Sequence, residues 1–476
     1  MLPVRSCRCL CLAIFLFIFA ECVFAQASQS QPAYDLKVSI DPSSGTLAVR
    51  GTIQLPGEKT NVDELQFTLH ETFGIDSLSV NGEKVQFVNS PAAPTVINPA
   101  VKNIRFALPP DARGKDVSIA LQYGGQLKKL GEFGEFPDKP FALDDQVNKR
   151  LVELANYSSW YPQFAGMGFP FSVNLEVSLP KGWVTIASGK KLSEQLANGR
   201  AVSRWSSPMD TDIVVVASPK FKVKKGRYSD IDVEIYYTQL PERFINSELA
   251  QLAQLVQLFT TYLGESNIPV KTVKHVYSPK RLGQGRAGFA RSGMIVTSEG
   301  RTIDALNADA GFSLFQDIAH EVAHFWWNFG AGQGDWINEA FAEYFSAVAV
   351  EKTKSQADFY SVLGRYERSV AKLPPDAPSI ATATFEGPSS FVVRYYKGSL
   401  MLDQFRRTLG DKDFFADVRE FYQTYKGKPI GTDEFRNFWK TKLGDKAAMV
   451  DQWLDSQGGA PKTAEQPPSA PVPKSE

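Results

Sequence analysis

Cysteine is scarce, and its placement is poor for structure. The 476 residues hold four, Cys7, Cys9, Cys11 and Cys22, all in the first 22 positions. Without that segment the chain could form no disulfide, so a buried core must supply its stability. Histidine is equally rare: His70, His275, His320 and His324 are the full set. Charge of one sign is missing too, with 52 basic and 52 acidic residues. With no basic stripe or stacking platform, nucleic acid is excluded as a partner. The apolar run at residues 10–20 is too short to span a membrane. No internal repeat is found.

That apolar run belongs to a targeting segment over residues 1–25. Arg5 and Arg8 make its basic start, and Val23-Phe24-Ala25 is a cleavage site before Gln26. A retained N-terminal anchor is the alternative. Cys22 invites lipidation, but Glu21 before it suits that poorly. Removing Arg5, Arg8 and Glu21 leaves 50 basic and 51 acidic residues. The expectation is an exported bacterial envelope protein, periplasmic or secreted, with no membrane span in the mature chain.

The remainder reads as α+β in two domains. Residues 26–222 alternate like an antiparallel β domain, as in Phe171-Ser172-Val173-Asn174-Leu175-Glu176-Val177. Asn81-Gly82, between Leu78-Ser79-Val80 and Val85-Gln86-Phe87, predicts a hairpin. Residues 223–456 turn mainly helical. Leu249, Leu252, Val256, Phe259 and Leu263 form a core-facing helical stripe. Further helices are expected near residues 394–409, 411–425 and 432–443, with Gly410 and Gly444 as stops. Residues 457–476, rich in Pro, Ser, Ala and Lys, read as a disordered tail.

Two of the four histidines fall in His320-Glu321-Val322-Ala323-His324. Phe312, Phe315, Ile318, Val322 and Phe325 recur at helical steps around them, so both imidazoles lie on one face, a turn apart. They can meet at one metal ion, with Glu321 beside it as a base. A glycine-spaced turn at residues 330–334 follows. A second helix then opens at Asp335 and reads Trp336-Ile337-Asn338-Glu339-Ala340-Phe341-Ala342-Glu343-Tyr344.

With these motifs the sequence resembles the gluzincin peptidases, most closely the M1 aminopeptidase family. Tyr395-Tyr396-Lys397-Gly398 is similar to that family's Y-x-K-G. Trp160-Tyr161-Pro162 and Gln452-Trp453-Leu454 resemble its weaker flanking motifs. The resemblance spans roughly residues 35–456. It implies a saddle-like β domain followed by a thermolysin-like catalytic domain, with one Zn2+ per chain and a peptide substrate. It also implies metal ligands His320, His324 and Glu339, a general base in Glu321, and an oxyanion donor in Tyr395. Tyr396 is the rival if the helix register differs by one. Counting the family's eighteen-residue gap from His324 would make Glu343 the third ligand. Matching the Asn-Glu-Ala context instead gives Glu339, with fourteen residues between. Glu343 would then hydrogen-bond a zinc histidine, as the related N-E-A-x-x-D pattern implies.

One departure concerns substrate choice. The family's G-x-M-E-N holds the substrate amine through its Glu, and Arg291 of Gly288-Phe289-Ala290-Arg291-Ser292 stands there instead. An arginine is expected to repel an ammonium group, which points to cleavage of acetylated peptides or removal of more than one residue. Glu153 sits where the family often has an amine-binding Glu or Gln, but reads as a surface carboxylate. Many family members continue into a helical domain that closes the site, so the cleft is expected to be open on that side. The alternative function is a non-catalytic peptide-binding protein on the same fold.

Overall fold

The computed structural model describes residues 31–92, 101–127, 145–164, 170–267, 270–279, 288–308, 310–329, 335–384 and 387–461. The targeting segment 1–25, the turn at residues 330–334 and the tail beyond residue 461 lie outside these.

The N-terminal part is built from strands. In Ala33–Asp41, Tyr34, Leu36, Val38 and Ile40 point inward while Asp35, Lys37 and Ser39 are exposed. This is the period-two pattern of a half-buried strand. The strand belongs to an eight-stranded sheet, accompanied by two four-stranded sheets. The pairing is not wholly antiparallel as the sequence suggested. Ala33–Asp41 runs parallel to Phe171–Pro180. Parallel neighbours need a long crossover, and the chain between these two strands provides it. The Asn81-Gly82 turn forms with φ of 51° and 87°. Glu83 and Lys84 pair back across it and the Val85 N–H reaches the Leu78 carbonyl, but the hairpin stops there because Phe87–Pro91 crosses to another sheet.

The second part begins with a five-stranded mixed sheet. Its order is Lys222–Tyr228, Ile231–Tyr237, Thr272–Ser278, Met294–Ser298 and finally Gly288–Arg291 at the edge. Helices α1 (Glu242–Leu263), α2 (Glu299–Asn307), α3 (Gly311–Ala323), α4 (Asp335–Thr353) and α5 (Gln356–Val370) pack with it. They are followed by α6 (Gly398–Leu409), α7 (Asp411–Tyr425), α8 (Thr432–Leu443) and α9 (Ala448–Asp455). The predicted α1 stripe is buried throughout. Gly410 and Gly444 end α6 and α8 with φ of 80° and 53°, where other residues would be strained. Helix α4 is buried on almost every side from Trp336 to Val350, as suits a central helix. Among the described residues no helix is long and apolar enough to cross a membrane.

Each part has its own apolar core. A third cluster joins them, with Leu151, Tyr157, Val214 and Val216 meeting Tyr236, Val276, Phe289 and Val296. The architecture is the expected one, a β-rich domain followed by a mainly helical domain.

Candidate active site

Helix α3 delivers the paired histidines. His320 occupies its last turn and His324 caps its C-terminus in a helical conformation. Their Nε2 atoms lie 3.1 Å apart. Helix α4 faces them and contributes Glu339, whose Oε2 is 3.4 Å from each Nε2. A tetrahedral zinc with bonds of about 2.0–2.2 Å keeps its ligand atoms roughly 3.3–3.5 Å apart; the two edges to Glu339 match that spacing and the edge between the histidines is slightly shorter.

Hydrogen bonds on the far side of each ring fix the tautomers. His320 Nδ1 meets Glu343 Oε2 at 2.8 Å, and His324 Nδ1 meets the Trp327 carbonyl at 3.1 Å. Both partners only accept, so each Nδ1 donates, and in the neutral ring each Nε2 is the nitrogen that presents a lone pair inward. Glu339 Oε2 is buried without a hydrogen-bond partner among the described residues. Three acceptor atoms thus converge on one point, and a cation satisfies them. Titration points the same way. Burial works to lower the His320 pKa, but Glu339 and Glu343 outweigh it and raise it well above the usual imidazole value. Burial would raise the Glu339 carboxyl; the two imidazoles hold it well below its usual range. The pocket is made to hold positive charge, and a His2Glu set suits Zn2+.

Glu321 stands on α3 beside the triangle. Its Oε2 is buried and unpartnered among the described residues. Gly288, which opens the edge strand, closes over it: a Cβ there would lie 3.1 Å from Glu321 Oε1 and 2.9 Å from Thr297 Cγ2. Only glycine leaves that space.

The two tyrosines point to different places. The chain before α6 is wound as a π-helix over Val392–Lys397, a form common at functional sites and invisible to periodicity arguments. Tyr395 stacks on the His320 ring, centroids 5.5 Å apart and planes within 6°. Burial and the charge of Glu339 raise its pKa well above the usual phenol value, so it remains a hydrogen-bond donor. Tyr396 faces away and stacks on Tyr366 at 4.4 Å. Lys397 Nζ, fully buried, donates to the carbonyls of Ser456 and Gly458 at 2.6 and 2.9 Å. At Gly398 a Cβ would sit 2.5 Å from Ala340 Cβ, so glycine lets α6 press against α4. Each position of Tyr-Tyr-Lys-Gly therefore has its own physical task.

Several neighbours escaped the sequence reading. Arg394 pairs with Asp335 and lies 3.6 Å from Glu339 Oε1, so it anchors the oxygen that faces away from the histidines. Gln316, one turn before His320 on α3, shares the two hydrogens of its amide nitrogen among Glu343 Oε1 at 3.3 Å, Tyr366 Oη at 2.6 Å and Ser346 Oγ at 3.2 Å. Its own oxygen accepts from Arg365 at 2.5 Å. The four-residue step from Gln316 to His320 was the available signal. Asp317, also on α3, is raised to about 6, first by burial and then by the charge of Glu343.

Two expectations about substrate choice need correction. Arg291 does not present a bare charge, because its Nε donates to Asp212 Oδ2 at 3.1 Å and its Nη2 to Tyr157 Oη at 2.7 Å. The ground for repelling an ammonium group is thereby removed. Glu153 is not a surface carboxylate. It is fully buried in Val152–Leu154, where Oε2 accepts from Ser278 Oγ at 2.5 Å, because that strand sits between two neighbours at the domain junction.

Comparison with known proteins agrees with this geometry. Residues 303–453 match the model of the peptidase family M1 domain. A probable aminopeptidase 2 of Sulfurisphaera tokodaii is 24% identical over 376 residues, covering 72% of this chain and 45% of its own. The tricorn protease-interacting factor F2 of Thermoplasma acidophilum is 20% identical over 309 residues, covering 60% and 37%. The chain thus spans less than half the length of these relatives. In structure it resembles an M1 zinc metallopeptidase of Deinococcus radiodurans, with a TM-score of 0.69 at 16% identity over 94% of this chain and 98% of that one. A Glu-to-Ala variant of that protein bound to a Tyr-Ser-Ala substrate gives 0.68 at 16%, over 93% and 97%. Residues 303–453 thus match the peptidase family M1 domain, and the chain as a whole is M1 aminopeptidase-like in sequence and shares a two-domain fold with that structure.

Proposed function

We propose that this chain is a zinc peptidase that hydrolyses peptide bonds. The observation that carries the reading is the triangle of His320 Nε2, His324 Nε2 and Glu339 Oε2, with Glu321 Oε2 beside it and without a hydrogen-bond partner among the described residues. A zinc ion held there would supply a Lewis acid for the scissile carbonyl and lower the pKa of water towards about 7. Glu321 takes the proton of the attacking water and passes it to the leaving amine. Its free oxygen and the close backbone at Gly288 support that task. Tyr395 donates a hydrogen bond to the oxygen that gains charge as the carbonyl is attacked. Glu343 and the Trp327 carbonyl hold the imidazoles in the ligating tautomer.

The experiment pairs elemental analysis with a peptide library carrying free and acetylated N-termini, read by mass spectrometry. One zinc per chain and cleaved peptides are expected. Intact peptides that bind but are never cut, with or without added zinc, would leave only the peptide-binding alternative. The basic and apolar start of the chain and the absence of cysteine after residue 22 support export to the periplasm or outside the cell. Sequencing the N-terminus of the protein recovered from cell fractions tests this, with residue 26 as the expected start.

A further inference from the structure

The strand Gly288–Arg291 is four residues long and, among the described residues, pairs on one side only, with Met294–Ser298. Such an edge would ordinarily be loose. Yet its first residue sets the space above Glu321. What steadies it comes from the other domain. Asp212, fully buried in the β domain, accepts from Arg291 Nε at 3.1 Å, from Tyr161 Oη at 3.0 Å and from the Asn156 amide at 3.2 Å. The Arg291 guanidinium also lies 5.4 Å from the Tyr157 ring centre and 5.3 Å from that of Phe289, and Nη2 holds Tyr157 Oη at 2.7 Å. The next residue, Ser292, donates to Asp210 at 2.7 Å.

We infer that Arg291 is a positioning residue: clasped by Asp212 and Tyr157, it fixes the height of the edge strand over Glu321, so the β domain governs turnover through this strand. The inference rests on the peptidase reading for its kinetic consequence. It assigns Arg291 no contact with substrate. Its charge is spent within the clasp, and strand direction puts its side chain on the face opposite Gly288. Misplacing reacting groups by about 1 Å can cost a hundred-fold in rate, so a small lift of this strand is enough to matter.

The test compares Arg291→Met, Arg291→Lys, Asp212→Asn and the double variant Arg291→Met/Asp212→Asn, all zinc-loaded. Tyr157→Phe, which removes one hydroxyl, serves if the buried changes impair folding. Each single variant should lower kcat/KM roughly ten- to a hundred-fold, and the double variant no further than the worse single one. The loss should be equal for free and acetylated peptides, within about twofold, and Arg291→Lys should recover part of it because one donor remains. Hydrogen exchange at residues 288–291 should quicken while zinc stays at one per chain. A selective gain on free N-termini would overturn the inference, since Arg291 would then be reading substrate charge. Unchanged exchange would overturn it as well, as would additive losses. If the wild-type chain cleaves nothing, the peptidase reading fails by itself. Exchange at residues 288–291 and a thermal-unfolding cycle on the same variants still decide the clasp.

Discussion

The two sides of the His320 ring are organised in opposite ways. On the Nε2 side, acceptor atoms crowd together and two carboxylate oxygens, one each from Glu339 and Glu321, have no hydrogen-bond partner among the described residues. On the Nδ1 side, Glu343 has both oxygens engaged, one by His320 and one by Gln316, and Gln316 is itself held by Tyr366, Ser346 and Arg365. Buried polar atoms are normally satisfied, so a cluster that is not marks the place for a ligand. The satisfied side exists to hold the unsatisfied one still. Substitutions on the two sides should therefore differ in kind: the front changes whether metal binds or chemistry occurs, and the back changes how tightly and how squarely the metal is held.

The largest effect is expected at Glu339. Glu339→Ala removes an inward oxygen and leaves Arg394 and Asp335 without that neighbour, so stoichiometric zinc should be lost and activity with it. Elemental analysis after dialysis checks this, and full zinc retention would break the front-side account. Next comes Glu321→Gln. The amide cannot take a proton, so kcat should fall about a hundred- to ten-thousand-fold with zinc unchanged. Equal loss of zinc would make Glu321 a ligand. Tyr395→Phe should keep the metal and lower kcat more than it raises KM, because its hydrogen bond strengthens as the oxyanion forms. Tyr396→Phe, on the back, should leave kcat nearly untouched. Steady-state kinetics on the pair would expose an error if the ranking reversed.

How much of this was legible in the sequence follows the same division. Side chains that ligate or react must be particular types at particular helical spacings, and His320, Glu321, His324 and Glu339 stood out for that reason. The fold class was legible because alternation and helical stripes persist over many residues. What supports the site was harder to see. Gln316 and Arg394 are ordinary helix residues whose roles depend on which helices meet. The π-helical turn that separates Tyr395 from Tyr396 leaves no mark in periodicity. Arg291 was identified but misjudged, because its partner Asp212 lies 79 positions earlier and only tertiary structure brings them together. Glu153 was misread likewise, since a lone carboxylate between apolar residues does not announce its burial.

On the back, Glu343→Ala should weaken zinc binding by roughly ten- to a hundred-fold without abolishing it, the usual cost of losing the group that orients a ligand. Zinc titration decides between this and Glu339→Ala. If Glu343→Ala loses the metal and Glu339→Ala keeps it, the longer spacing between the second histidine and the glutamate holds, and the two carboxylates must exchange roles.

The smallest effect is expected one step further back, at Gln316. Gln316→Leu keeps the volume but removes the donor to Glu343 and the acceptor for Arg365. Glu343 would still reach His320 at Nδ1, so zinc affinity should fall less than in Glu343→Ala, about a few-fold against the ten- to hundred-fold of the orienting carboxylate itself. Stability should suffer more than affinity. Arg365 Nη2 and the Tyr366 hydroxyl would lose a buried partner, and each group left unsatisfied costs about 1–3 kcal/mol. Calorimetry of the zinc-loaded variant measures the stability change, and competition with a chelator measures the affinity change. A zinc loss as large as that of Glu343→Ala would mean that Gln316 governs the metal directly, and the division between the two sides of His320 would no longer stand.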